Sequence, residues 1–226
     1  MTRPDGTPVR EFISFPKSGR TWLRYAFSVL GVADQIAFHH DGFEYNDGAR
    51  PPLDFDFQAR LRRGEGKRIV YLHRDPRDVM VSLYFQVTGR FRDFFRYEGS
   101  VGDFLRDPYF GAANLREFQR QWDEICASGL ALRLTYEDCH EDLEGVLHRA
   151  LSYYGIDTAP DSVRHAVTAS SFEAMRLVER EGRFPRKWLK PRLGAPKVRE
   201  GRVGGHRDVL DASDLAYLDE VFGTPP

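Results

Sequence analysis

Lys17, Ser18, Gly19 and Thr21 fall within one six-residue stretch, PKSGRT, and their types describe a grip on an oxyanion. Glycine lets the backbone approach a ligand closely, the two hydroxyls donate hydrogen bonds, and a lysine is a mobile point charge. The Walker order GxxxxGK[ST] is absent, because the lysine precedes the glycine and no glycine heads the loop. Walker loops recruit Mg²⁺ through a hydroxyl and a downstream Asp. Here Lys17 takes on the charge neutralisation that a metal performs elsewhere, and no metal ligand set is expected. A second stretch, RDPRDVMVSLYF, places Arg74 eight residues before Ser82. A guanidinium fork and a hydroxyl that converge on one ligand form a phosphate clamp. The bland alternative is a surface pairing of Arg74 with Asp75 or Asp78, contributing under about 1 kcal/mol.

Such groups need rigid elements behind them. Glu11 to Phe15 form a short, mostly apolar run ending at Pro16, the mark of a buried strand entering a turn. From Trp22, the residues Tyr25, Ala26, Val29 and Leu30 follow at helical spacing and Gly31 stops them. The pattern repeats. KRIVYLH reads as a strand, and a helix follows with Pro76 in its first turn and Asp75 as its cap. Leu115, Phe118, Trp122 and Ile125 line a helical face closed by Ser128-Gly129, LALRLTY reads as a third strand, and Leu143 to Tyr154 form a helix ended by Gly155. Strands alternating with helices predict an α/β fold, a single domain over residues 1–226 with a central parallel sheet flanked by helices. Ligands of such sheets gather at the carboxyl ends of the strands, where helix N-termini offer free N–H groups and a positive dipole end. Two anion cradles on neighbouring strand ends imply a ligand with two separated anionic groups, and a nucleotide phosphorylated on both sides of its ribose fits.

The composition sets limits. With 33 Lys+Arg against 34 Asp+Glu, the net charge of −1 carries no general attraction to nucleic acid or an anionic membrane, so any anion site is local. At 41% hydrophobic and 30% charged residues the chain reads as a soluble globular protein. The N-terminus has no apolar leader and no window approaches a membrane span, so a cytoplasmic location is expected. Cys126 and Cys139 have no spacing for a disulfide framework or zinc. The one charge block, Arg176 to Arg207, holds 11 Lys or Arg against 3 Glu, and its Phe184, Trp188 and Leu189 suggest a segment folded over something anionic.

These motifs resemble those of the cytosolic-type sulfotransferases. FPKSGRTWLR is similar to their PKSGTTW loop, which holds the 5′-phosphosulfate of 3′-phosphoadenosine 5′-phosphosulfate (PAPS), and RDPRDVMVSLYF to their RNPKDVxVSxYxF segment, which binds the 3′-phosphate. LTYED, SSFEAM and VREGRVGG resemble the family's YED, SFxxM and RKGxxGxW motifs in the same order, so the resemblance runs from Phe12 to about His206. It implies the P-loop-like sulfotransferase fold, PAPS as donor, PAP as product and a small-molecule acceptor bearing a hydroxyl or amine. It further implies that Lys17, Ser18, Gly19, Arg20 and Thr21 bind the 5′-phosphosulfate, Arg74, Ser82, Arg199 and Gly201 the 3′-phosphate, and Trp22, Tyr136 and Phe172 the adenine. Arg20, Glu200 and His206 depart from the family's Thr, Lys and Trp, and the chain is shorter than most cytosolic relatives between its first helix and second strand.

Sulfuryl transfer runs through a loose in-line transition state with charge growing on the leaving oxygen, and Lys17 is the candidate for that oxygen. The acceptor must lose a proton, a task suited to a histidine. By the family's order the base falls at His40, with His39 second and Glu44 third. Phe91, Phe94, Phe95, Tyr97 and Tyr109 form either an acceptor pocket or core, and the basic residues from Arg183 to Arg192 equally suit an acidic acceptor. Two rival readings stand beside this one: a metal-dependent P-loop-like nucleotide kinase, and a module that binds the nucleotide without turnover.

Overall fold

A computed structural model describes residues 6–43, 45 and 56–223. Four strands, β1 (Val9–Ser14), β2 (Ala37–His39), β3 (Lys67–His73) and β4 (Ala131–Thr135), pair in parallel in the order β2-β1-β3-β4. The helices are α1 (Arg20–Val29), α2 (Phe57–Gly64), α3 (Pro76–Phe85), α4 (Arg92–Phe95), α5 (Val101–Arg106), α6 (Ala112–Ala127), α7 (Tyr136–Glu141), α8 (Leu143–Tyr154), α9 (Pro160–Ala169), α10 (Phe172–Glu181) and α11 (Ala212–Phe222).

Side chains of successive strand residues point to opposite faces, and β1 sorts its apolar residues accordingly. Phe12 joins Val70, Leu72 and Leu134 in a core under α1, α8 and α9, whereas Ile13 joins Ile69 and Tyr71 in a second core built with α3, α5, α6 and α11. Both faces of the sheet are thus buried, as a parallel sheet requires. Register places Ser14 beside Leu72 and His73 beside Thr135, so the turns after β1, β3 and β4 open on the same edge of the sheet.

The stop and start signals act as their chemistry dictates. Asp75 accepts a hydrogen bond from the Arg77 N–H at 2.7 Å, with Pro76 at the start of α3. Gly155 ends α8 in the left-handed region at φ 63°. Three boundaries correct the sequence reading. β1 ends one residue earlier than Phe15, α1 begins at Arg20 rather than Trp22, and Tyr136 opens α7 instead of closing β4. Thr135 causes the last of these, because its side chain accepts from the Asp138 N–H at 3.0 Å and caps a helix there. No described helix is both long and apolar enough to cross a membrane.

Candidate active site

The carboxyl ends of β1, β3 and β4 frame a cavity of about 1250 Å³. The PKSGRT loop forms one wall. Gly19 sits at φ 102° at the head of α1, and a Cβ there would lie 2.4 Å from Cδ2 of Tyr136, so only glycine lets the loop rest against that ring. Lys17 itself adopts φ 75°, a conformation that costs an L residue about 1–2 kcal/mol and persists where the surroundings demand it. Those surroundings include Arg74, whose Nη1 donates to the Lys17 carbonyl at 3.0 Å. Burial, then Lys197, Arg90, Arg74 and Arg199, push the Lys17 amine well below the usual lysine pKa. Four cations converge on a fifth. The Ser18 Oγ is buried at the same turn and has no hydrogen-bond partner among the described residues.

The second cradle forms at the end of β3. Arg74 lies with its guanidinium 4.0 Å from the centre of the Tyr136 ring, donates to the Arg202 carbonyl at 3.1 Å, and pairs with Asp78 at 3.5 Å. This pair is buried, not the surface pair of the bland alternative. The buried Arg74 Nε lacks a partner among the described residues. Ser82 and Arg199 line the same cavity. Asp78 does a second job that the sequence reading missed. It accepts from the N–H groups of Gly204 (2.8 Å) and His206 (3.0 Å) and from the His206 ring (2.9 Å), and these contacts outweigh its burial and hold its carboxyl down at about 2. His206, where the resembling motif has Trp, thus fastens the closing loop by hydrogen bonds. Glu200 pairs with Arg199 and Arg202, so the departure from Lys gives the loop an internal carboxylate in contact with Arg199.

The aromatic residues meet between the cradles. The Trp22 Nε1 donates to the Ser170 carbonyl at 2.7 Å, and its ring packs edge-on to Tyr136 at 5.7 Å. Phe172 lies across the cavity, where a Cβ on Gly201 would come within 2.4 Å of its ring. His140 packs 4.8 Å from Trp22 and 4.7 Å from Tyr136, adding a ring that its position two residues past the YED motif did not advertise.

His39 and His40 part company. His40 lies on the cavity and its Nδ1 is 2.8 Å from the Ser14 carbonyl. That bond assigns the proton to Nδ1 and leaves Nε2 with its lone pair. Burial, then Arg20, lower its pKa well below the ordinary histidine value, so the ring stays neutral. His39 instead has its Nε2 3.3 Å from Glu11, which also pairs with Lys67 at 2.6 Å, and it is outside the cavity lining. Glu44 lies outside the described residues. Of the five aromatic residues left open between pocket and core, Phe91 lines the cavity, Phe94 is exposed, and Phe95, Tyr97 and Tyr109 pack on the α5–α6 core. Arg183, Arg186 and Arg192 are paired with Glu181, Asp34 and Asp93. Among the described residues, no group of three or more His, Cys, Asp or Glu is placed to hold a metal.

Residues 65–224 match the model of the sulfotransferase domain. Human sulfotransferase 2B1 is 28% identical over 170 residues, 70% of this chain but 45% of that protein, so the match spans about half of the human relative. Mouse sulfotransferase 2A1 is 26% identical over 95% of this chain and 84% of its own length. The fold matches that of mouse sulfotransferase SULT7A1 complexed with PAP (TM-score 0.68, 17% identity, 95% of this chain and 82% of that one). It also matches retinol dehydratase in complex with androsterone and inactive cofactor PAP (TM-score 0.66, 18% identity, 95% and 80%).

Proposed function

The chain belongs to the sulfotransferase domain family, and on that premise we propose that it moves a sulfuryl group from PAPS to a hydroxyl or amine of a small-molecule acceptor. The observation that carries this reading is the crowding of Lys197, Arg90, Arg74 and Arg199 around Lys17 at one cavity. Like charges held this close are relieved by a polyanion. The residues also fit such a ligand in detail, since the buried Ser18 Oγ and Arg74 Nε each have an unused hydrogen-bonding position. The PAP described in two solved relatives supports the same donor.

When bound, PAPS supplies an activated sulfuryl group on a phosphate leaving group. Lys17, Ser18 and Thr21, with the N–H groups at the head of α1, hold the 5′ end, and the Lys17 amine neutralises charge on the leaving oxygen. An arriving anion raises the Lys17 pKa and favours the protonated amine. Arg74, Ser82, Arg199 and the Gly201 backbone hold the 3′-phosphate. Trp22 and Phe172 stack on the adenine, and Tyr136, kept a neutral phenol mainly by burial, hydrogen-bonds its edge. His40 Nε2 takes the acceptor's proton. The bond from Nδ1 to Ser14 orients the ring and leaves it room to become a hydrogen-bonded cation.

Calorimetry against adenosine 3′,5′-bisphosphate and AMP tests the two-cradle premise, with the bisphosphate expected to bind at least about tenfold tighter; equal affinities would overturn it. Labelled PAPS offered with phenol, alcohol and amine acceptors, with and without a chelator, then separates transfer from binding alone and from a metal-dependent reaction.

A further inference from the structure

Two buried polar atoms on the cavity wall belong to side chains assigned to neither phosphate above, although Arg90 shares the cationic cluster at Lys17. The Gln86 Oε1 and Arg90 Nε have no hydrogen-bond partner among the described residues, although the two residues are more than nine-tenths buried, at 5% and 7% exposure. A buried polar atom without a partner costs on the order of 1–3 kcal/mol, so a native fold that keeps two together calls for an explanation.

Their placement supplies one. Arg74, Asp78, Ser82, Gln86 and Arg90 recur every four residues, and all five line the cavity. Four residues of α-helix overshoot a full turn by about 40°, so a straight extension of α3 past Gln86 would carry Arg90 further off that wall. Instead Gln86 to Arg90 form a π turn, with the Phe91 N–H reaching back to the Gln86 carbonyl at 3.0 Å. Its wider winding carries the chain from Gln86 to Arg90, and both side chains line the cavity; such turns inside helices frequently mark functional positions.

Each side chain is also fixed by its other end. The Gln86 amide nitrogen donates to the Tyr45 carbonyl at 2.9 Å, which commits the nitrogen and presents the oxygen. Arg90 Nη1 is shared between the carbonyls of Lys190 (3.0 Å) and Ala195 (3.1 Å). Arg90 has no ion pair among the described residues. Glu179 is the carboxylate that acts on it, but both Glu179 oxygens are engaged by the N–H groups of Lys197 and Val198. Glu179 thus meets Arg90 through charge alone, without a direct ion pair, and the Arg90 Nε keeps an unused donor. Phe91 contributes an apolar surface beside it.

We propose that Gln86 and Arg90 recognise an anionic acceptor, Arg90 receiving its carboxylate and Gln86 Oε1 accepting a hydrogen bond from a donor group beside it. This deepens the sulfotransferase reading and rests on it for the word acceptor. The test needs no turnover. Binding of 4-hydroxyphenylacetate and of its methyl ester is measured by calorimetry on protein saturated with PAP. The acid is expected to bind at least about tenfold tighter, the worth of one charge-assisted contact, and Arg90→Gln should bring the ratio within threefold. Equal binding of acid and ester by the wild type overturns the proposal whether or not the variant folds, and so does a ratio that survives Arg90→Gln. If PAP does not bind, the donor assignment falls, and the acid-to-ester ratio on the free protein still decides the Arg90 site.

Discussion

Replacing Lys17 with methionine should move stability and rate in opposite directions. The amine is depressed well below the ordinary lysine pKa by burial and then by Lys197, Arg90, Arg74 and Arg199. A basic group whose folded pKa lies below its unfolded value near 10.4 weakens the fold at lower pH, and that penalty fades as pH rises towards the unfolded value. Lys17→Met keeps the apolar stem and deletes the charge. At pH 7 the variant should therefore melt no lower than wild type, with any advantage shrinking towards pH 10. Its rate should fall, because removing one donor from a developing oxyanion costs about 3 kcal/mol, a factor of 10² or more. Thermal midpoints across pH 7 to 10 and initial rates with labelled PAPS read the two effects. A third measurement links them. Two phosphates entering the cluster favour the protonated amine, so PAP binding by the wild type should take up protons that Lys17→Met does not, seen in buffers of different ionisation enthalpy. Turnover within threefold of wild type would remove the amine from the chemistry. A midpoint several degrees lower at pH 7 would mean that an anion of the protein already holds Lys17, and the charge argument would fail.

His40→Gln should lose at least about 10² in kcat if the ring is the base. Burial and Arg20 hold the His40 pKa below 6.5, so wild-type kcat/KM should stay level as pH falls through 6.5; Arg20→Met should raise that pKa and move the acid limb upward, and a limb that stays or drops contradicts the assignment. Gly19→Ala adds a Cβ 2.4 Å from Tyr136 to a positive-φ penalty, whereas Gly31→Ala, at φ 74° with nothing within 4 Å, carries the backbone term alone. Urea unfolding should therefore show about 1 kcal/mol lost at Gly31 and clearly more at Gly19, with weakened PAP binding only for the latter. Asp78→Asn should release the 199–206 loop and cost about 2 kcal/mol at neutral pH, from a carboxyl lowered from 3.8 to about 2. Because a depressed carboxyl stabilises above its unfolded pKa and ceases to as pH falls through the folded one, the gap between variant and wild type should close near pH 2.

Much of the frame was legible because local chemistry agreed with the fold. Lys67 to His73 reads as a strand and forms one, and Asp75-Pro76 starts a helix by side-chain geometry that needs no tertiary help. β2 escaped as an element because three residues, none of them fully buried, carry no period to count. The helices α4, α5 and α7 have four to six residues each, too short for a face to show in sequence, and are held by caps such as the Ser100–Asp103 box and by packing.

The site divides along the same line. Cradle residues announce themselves because glycine, lysine and hydroxyls at a strand end have few other reasons to be together. His39 and His40 are indistinguishable by type, and a period-2 element sorts them, sending one to Glu11 and the other to the Ser14 carbonyl. The row from Arg74 to Arg90 was hidden for a different reason. Its spacing of four drifts around an ideal helix, so a sequence reader following 3.6 residues per turn places Gln86 and Arg90 progressively off the Ser82 face. The π turn after Gln86 is what redirects Arg90, and nothing in QVTGR announces one. A change that straightens this turn into α-helix should therefore disturb the proposed acceptor wall while leaving Arg74, just before α3, and Ser82, within it, in place.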